Sequence, residues 1–192
     1  MKRITLTCMV VACMLTACNN NKKTVDPAIA DSAAKAKAAA SLVTDEMKKE
    51  SEELQKLAPL SAAELKALLP EQIMGAKGSQ FEVVPSSGTN VASADYVLND
   101  STEIQVSISD CGGAGGAGIY SNQYLKLIDM QSETDNEYSK TIDFRGKAVE
   151  HCQKSTNRCT LTYFTGKRYM VTMEGKNIHP DGLKQAAMEL KI

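Results

Sequence analysis

The stretch DCGGAGGAGIYSNQYLKLIDM, Asp110 to Met130, decides between two folds. From Gly113 the run GAGGAG fits G-x-G-x-x-G, the glycine pattern that seats a dinucleotide pyrophosphate at a helix N-terminus, and it lies between a strand-like and a helix-like segment. A dinucleotide fold needs that helix to return the chain to a parallel strand, with an acidic residue about 20 positions on to hold the ribose. Here Tyr120 to Met130 reads as a helix with Tyr120, Tyr124, Leu127 and Ile128 on one side, followed by the polar loop Gln131 to Asn136 and a series of short alternating segments. That order argues against a nucleotide, and no cofactor is expected. Gly112, Gly113, Gly115, Gly116 and Gly118 are read instead as a mobile or closely packed turn that lets the helix fold back on a sheet. The competing reading is a binding loop whose bare backbone and methyl groups suit a partner's edge or an apolar ligand.

Outward from this stretch the apolar period is two. Gln80 to Val84, Val91 to Leu98 and Thr102 to Ser109 precede it, the last with Ile104, Val106 and Ile108 on one face. Tyr138 to Phe144, Lys147 to Gln153, Cys159 to Thr165 and Arg168 to Glu174 follow it, with hairpin-length connections that imply antiparallel neighbours. Asn99-Asp100-Ser101 supplies one turn. Ser61 and Glu64 have capping-box spacing, which predicts a short helix over 62–69 that stops at Pro70. A closing helix starts after His179, with Pro180 and Asp181 in its first turn, and runs to about Leu190. The expected fold of residues 59–192 is α+β: an antiparallel sheet with helices packed on one face. There is no internal repeat.

Residues 1–58 have another character. Lys2 and Arg3 precede an apolar run from Ile4 to Ala17, the layout of a secretory signal and too short to span a bilayer. LTAC, Leu15 to Cys18, ends that run and resembles the bacterial lipoprotein signal. The resemblance implies that Cys18 receives diacylglycerol and becomes the new N-terminus, anchoring the chain in the cell envelope through acyl chains such as palmitate. Asn19 after the cysteine, by resemblance to enteric lipoproteins, points to the outer membrane and a periplasmic domain. Removing Lys2 and Arg3 leaves 20 basic against 23 acidic residues, a net charge of −3, which does not suit nucleic acid. Residues 18–58 read as a tether. From Ala28 to Ala58 the chain is rich in Ala, Lys and Glu and carries only a thin stripe of Leu42, Val43, Met47, Leu54 and Leu57. That is a solvated spacer helix, or one that docks on a partner or on its own domain.

With Cys18 as anchor and Cys8 and Cys13 in the signal, three cysteines remain. A hairpin turning near Ser155-Thr156 sets Cys152 opposite Cys159, within disulfide reach. Cys111 is then a small buried residue at a strand end, with pairing to Cys152 or Cys159, or a reactive thiol, as the alternatives. A metal site from His151, Cys152, Cys159 and His179 is disfavoured, because His151 and Cys152 are adjacent in a strand and face opposite ways. There is no G-x-S-x-G and no catalytic residue to name.

The segments LLPEQIMGAKG (Leu68 to Gly78), IQVSISDCGG (Ile104 to Gly113), DFRGKAVEHC (Asp143 to Cys152) and GKRYMVTMEG (Gly166 to Gly175) are joined by a tyrosine-bearing strand and a closing amphipathic helix. Together they resemble a widespread group of uncharacterised bacterial envelope proteins, over nearly all of 59–192. The resemblance implies the fold and the compartment and names no reaction. Two functions follow as expectations. One is a non-enzymatic envelope lipoprotein whose domain binds a protein partner or envelope component. The other is a small-ligand or lipid carrier with a pocket between the sheet and helix 120–130, lined by Tyr96, Tyr124 and Tyr163.

Overall fold

A computed structural model describes residues 45–86 and 88–192, which lie in one compact unit. The signal, Cys18 and residues 19–44 of the expected tether lie outside the described residues. In chain order the elements are α1 (45–56), α2 (Ala62–Lys66), β1 (Gln72–Ile73), β2 (Ala76–Ser86), β3 (Thr89–Asn99) and β4 (Thr102–Asp110). Then come α3 (Gly113–Ile119), a π turn (Tyr120–Tyr124) and α4 (Leu125–Ile128), which run on without a break. The second half holds β5 (Ser132–Glu133), β6 (Glu137–Asp143), β7 (Lys147–Gln153), β8 (Arg158–Thr165), β9 (Tyr169–Lys176) and α5 (Pro180–Met188).

Among the described residues nine strands form one antiparallel sheet in the order β1-β2-β3-β4-β9-β8-β7-β6-β5. Two meanders, each closed by helix, meet where β4 pairs with β9. The connection through α3 and α4 therefore passes β9, β8, β7 and β6 before the chain re-enters at the far edge. All seven expected strands are present, and β1 and β5, two residues each, are additional.

The turns follow from local chemistry. Asn99 Oδ1 accepts from the N–H groups of Ser101 at 3.1 Å and Thr102 at 3.0 Å, turning β3 into β4. Gly166 and Lys167 both hold positive φ, 60° and 55°, the two-residue conformation whose twist matches a hairpin. Ser61 and Glu64 make the reciprocal capping box at α2. α2 ends at Lys66, shorter than expected, and its last residues continue as turns to Pro70, which disfavours helix in the residue before it. His179 caps α5 and Pro180 opens it, as the spacing predicts.

Two expectations are corrected. Helices cover both faces of the sheet, not one. On the first face Ile104, Val106, Leu161, Tyr163 and Met173 pack against Leu65 of α2 and Leu183, Ala186 and Ala187 of α5. On the second, Val149, Phe164 and Met170 pack against Ala117, Tyr120, Tyr124 and Ile128, and against Leu54 of α1. Tyr163 and Phe164 are consecutive and point opposite ways. The reason is visible in β7 to β9, where Ala148/Val149, Tyr163/Phe164 and Met170/Val171 put apolar residues on both parities, the pattern of a strand buried on two sides. Clean alternation is seen in β3, where Ala92, Ala94 and Tyr96 alternate with Ser93, Asp95 and Val97, and in β4, whose Gln105, Ser107 and Ser109 face away from the first core.

The second correction concerns the glycines. Gly113 to Gly118 form the opening turns of a helix that runs on through Ile128, where a turn before a helix at 120 was expected.

Candidate functional site

The glycine helix begins over a buried ion pair. Asp110, at the end of β4, has no exposed surface, and its carboxylate accepts from Arg168 Nε at 2.7 Å and Nη2 at 3.1 Å. The same carboxylate accepts from the N–H of Leu60 at 2.7 Å and of Gly112 at 2.9 Å. Arg168 Nη2 also donates to the carbonyl of Ala58 at 2.6 Å. Burial pushes the Asp110 carboxyl up, but the guanidinium and the two N–H groups outweigh it and hold the group below its usual value. The anion at the start of α3 is thus the chain's own Asp110 carboxylate, in the place where a dinucleotide fold would seat a phosphate.

The glycines serve this closeness. Gly113 has φ +78°, and a Cβ there would lie 2.8 Å from Pro59 Cγ. A Cβ on Gly116 would meet the carbonyl carbon of Cys111 at 2.4 Å and the oxygen of Asp110 at 2.5 Å, whereas one on Gly118 would meet nothing within 4 Å.

Cys152 and Cys159 are bridged, directly opposite each other in the β7–β8 register with Cα atoms 4.1 Å apart. Cys111 is free and buried beside the helix, and burial is the main cause pushing its thiol up to about 12. It should therefore resist alkylation in the folded protein near pH 8. Peptide mapping after iodoacetamide should find Cys111 unmodified until denaturant is added, and rapid native labelling would contradict this burial. His151 lies on the second face in register with Ser139 and Thr160, while His179 caps α5. Among the described residues no group of three or more His, Cys, Asp or Glu side chains could hold a metal ion, and no helix is long and apolar enough to cross a membrane.

A second buried carboxylate escaped the sequence reading. Glu150, in β7, accepts from Tyr138 Oη at 2.7 Å and pairs with Lys140 at 2.9 Å. Lys184 of α5 comes within 3.0 Å of its other oxygen, an ion pair without hydrogen-bond alignment. Burial raises its pKa, but the two lysines and the tyrosine prevail and keep it ionised below the usual range. This cluster clamps α5 to the sheet. An acidic residue on the parity that Ala148 and Cys152 make otherwise apolar is the signal that marks it.

Two solvent-facing grooves border the second core. The larger, about 730 Å³, runs between α1 and the β6–β7 and β8–β9 turns, with Tyr120, Tyr124 and Phe164 on its floor. Their rings form one cluster with centroids 4.6 to 5.8 Å apart. Tyr120 Oη donates to Glu50 of α1 at 2.6 Å, and Tyr124 Oη to the carbonyl of Lys147 at 2.6 Å. The smaller, about 550 Å³, lies under the end of α4 between Leu127 and Met130 on one side and Val149, His151, Thr160 and Thr162 on the other. Met130 beside it is 62% exposed.

The three tyrosines named for a carrier pocket do not share one: Tyr124 lies on the floor of the larger groove, and the other two do not reach it. Tyr96 and Tyr163 are buried in the first core and Tyr124 in the second, on the opposite face of the sheet. Comparison with protein-family models, with curated proteins and with solved structures finds no match. The reading of function rests on the residues themselves.

Proposed function

We propose that the chain is a lipid-anchored protein of the cell envelope, without catalytic activity, whose α+β domain binds a protein partner or envelope component. Cys18 carries the lipid, and the residues between it and α1 serve as the tether at the outer membrane, facing the periplasm, while α1, which the sequence assigns to the tether, packs on the domain. The observation that carries the partner reading is the division of Tyr96, Tyr163 and Tyr124 between two filled cores, which leaves open surface grooves and the exposed Met130 as the places for contact. The Cys152–Cys159 bridge accords with an oxidising compartment.

Cys18→Ser should block acylation and cleavage and move the protein out of the membrane fraction. Mass spectrometry that finds an unmodified Cys18 still joined to residues 1–17 overturns the anchor. A second reading, a small-ligand or lipid carrier, draws on the apolar groove under α4. Crosslinking followed by native mass spectrometry of the membrane-extracted protein separates the two, since a carrier retains a small molecule and a partner-binding module is trapped with a polypeptide.

A further inference from the structure

We propose that the surface beneath α1 is a docking groove for an acidic amphipathic helix of a partner protein, and that α1 is its resident occupant. The proposal deepens the partner-binding reading and rests on it for the existence of a partner.

α1 shows what the groove accepts. Met47, Glu50, Ser51 and Leu54, at helical spacing, are its inward positions, and of these only Leu54 is fully buried. The two middle positions are polar and each is read by the domain: Tyr120 donates to Glu50, and Ser51 shares a 2.8 Å hydrogen bond with Ser121. One leucine and one carboxylate four residues before it are therefore the recognised pair. A helix this short is marginal in water alone, so its order depends on these few contacts.

The charge on the two walls is complementary. The domain contributes Arg145, Lys147 and Lys167 around the aromatic floor, while α1 contributes Glu46, Glu50 and Glu53 with Lys49. Arg145 is already engaged by the carbonyls of Leu190 and Ile192, and Lys147 pairs with Asp143, which leaves Lys167 as the rim cation these contacts do not occupy. α1 does not fill the groove, since about 730 Å³ stays open beside it. Its root is held apart from its body, because Ala58 and Leu60 are fixed by Arg168 and Asp110. The helix can thus leave the aromatic floor while the chain after it stays in place.

Being covalently linked, α1 competes at an effective concentration near the millimolar range, so a free helix meets a largely occupied groove. The test uses the full chain in detergent and a fluorescent peptide with the sequence of residues 45–58. Glu50→Lys and Leu54→Asp, made separately in the full chain, should each bind the peptide about tenfold or more tighter than the unaltered chain does. The same peptide carrying Leu54→Asp should bind neither. In the unaltered chain, hydrogen exchange should open the amides of 45–56 while β4, β8 and β9 stay protected. The groove proposal is overturned if the folded variants bind the peptide no better than the unaltered chain. It is equally overturned if the α1 amides exchange only with global unfolding. Neither failure bears on Cys18 or on a crosslinked partner, which the preceding experiments read separately.

Discussion

Gly116→Ala should destabilise the domain by about 3 kcal/mol, the upper end of the cost of forcing a methyl group into a packed site. The atoms it would strike are the backbone of Asp110 and Cys111, which cannot rotate away as a side chain would. Those residues are also fixed from behind: Cys111 N–H donates to the carbonyl of Arg168 at 2.8 Å, and Thr89 Oγ1 donates to the carbonyl of Asp110 at 2.7 Å. Relief would require α3 to move off the sheet and uncover Ala117, Tyr120 and Met170. Gly118→Ala is the matching control. Nothing lies within 4 Å of its added Cβ, so replacing a glycine inside a helix should stabilise by about 0.5–1 kcal/mol. Urea denaturation of the two variants should move the midpoint in opposite directions. If both are neutral, the glycine segment is a mobile loop and the close packing described for it is wrong.

The glycines show why part of this architecture was legible in the sequence and part was not. Strands such as β4 announce themselves, because Ile104, Val106 and Ile108 alternate with polar residues and the turn chemistry beside them is local. The disulfide was readable for the same reason, since a hairpin register relates two residues only 7 apart. Four glycines between 113 and 118 argue against helix by propensity, and the packing that makes helix the lower state there involves Pro59 and the end of β4. The docking of α1 is not legible in the sequence because two of its four inward positions are Glu50 and Ser51, which look like solvent-facing residues until Tyr120 and Ser121 are opposite them. The two-sided burial was present as adjacent apolar residues in β7 to β9, but period-two reasoning assigns only one parity to a core. Asp110 and Arg168 lie 58 positions apart, and no spacing rule joins them.

Arg168→Ala should cost about 3–5 kcal/mol at neutral pH, because it leaves the Asp110 carboxylate buried without its cation and strips the carbonyl of Ala58 of its donor. Asp110→Ala should cost less, since the Arg168 side chain, 19% exposed, can turn toward water. The pH dependence separates these causes. In the unaltered protein the Asp110 carboxyl is held below its usual 3.8, so its contribution is fully present above that value and is lost as the pH falls through the folded-state value. Glu150, held below its usual 4.5, acts in the same direction. In Arg168→Ala burial, the largest influence on Asp110 already, is opposed only by the N–H groups of Leu60 and Gly112, which moves its folded pKa up. A group so raised is best tolerated below its unfolded pKa and becomes costly as the pH rises through the folded value. The stability gap between Arg168→Ala and the unaltered protein should therefore narrow as the pH falls from neutral toward the usual carboxylate value of 3.8 in urea titrations, while the gap for Gly116→Ala stays constant. A pH-independent gap for Arg168→Ala would mean that the arginine acts through packing and the Ala58 contact, with no ionic hold on Asp110.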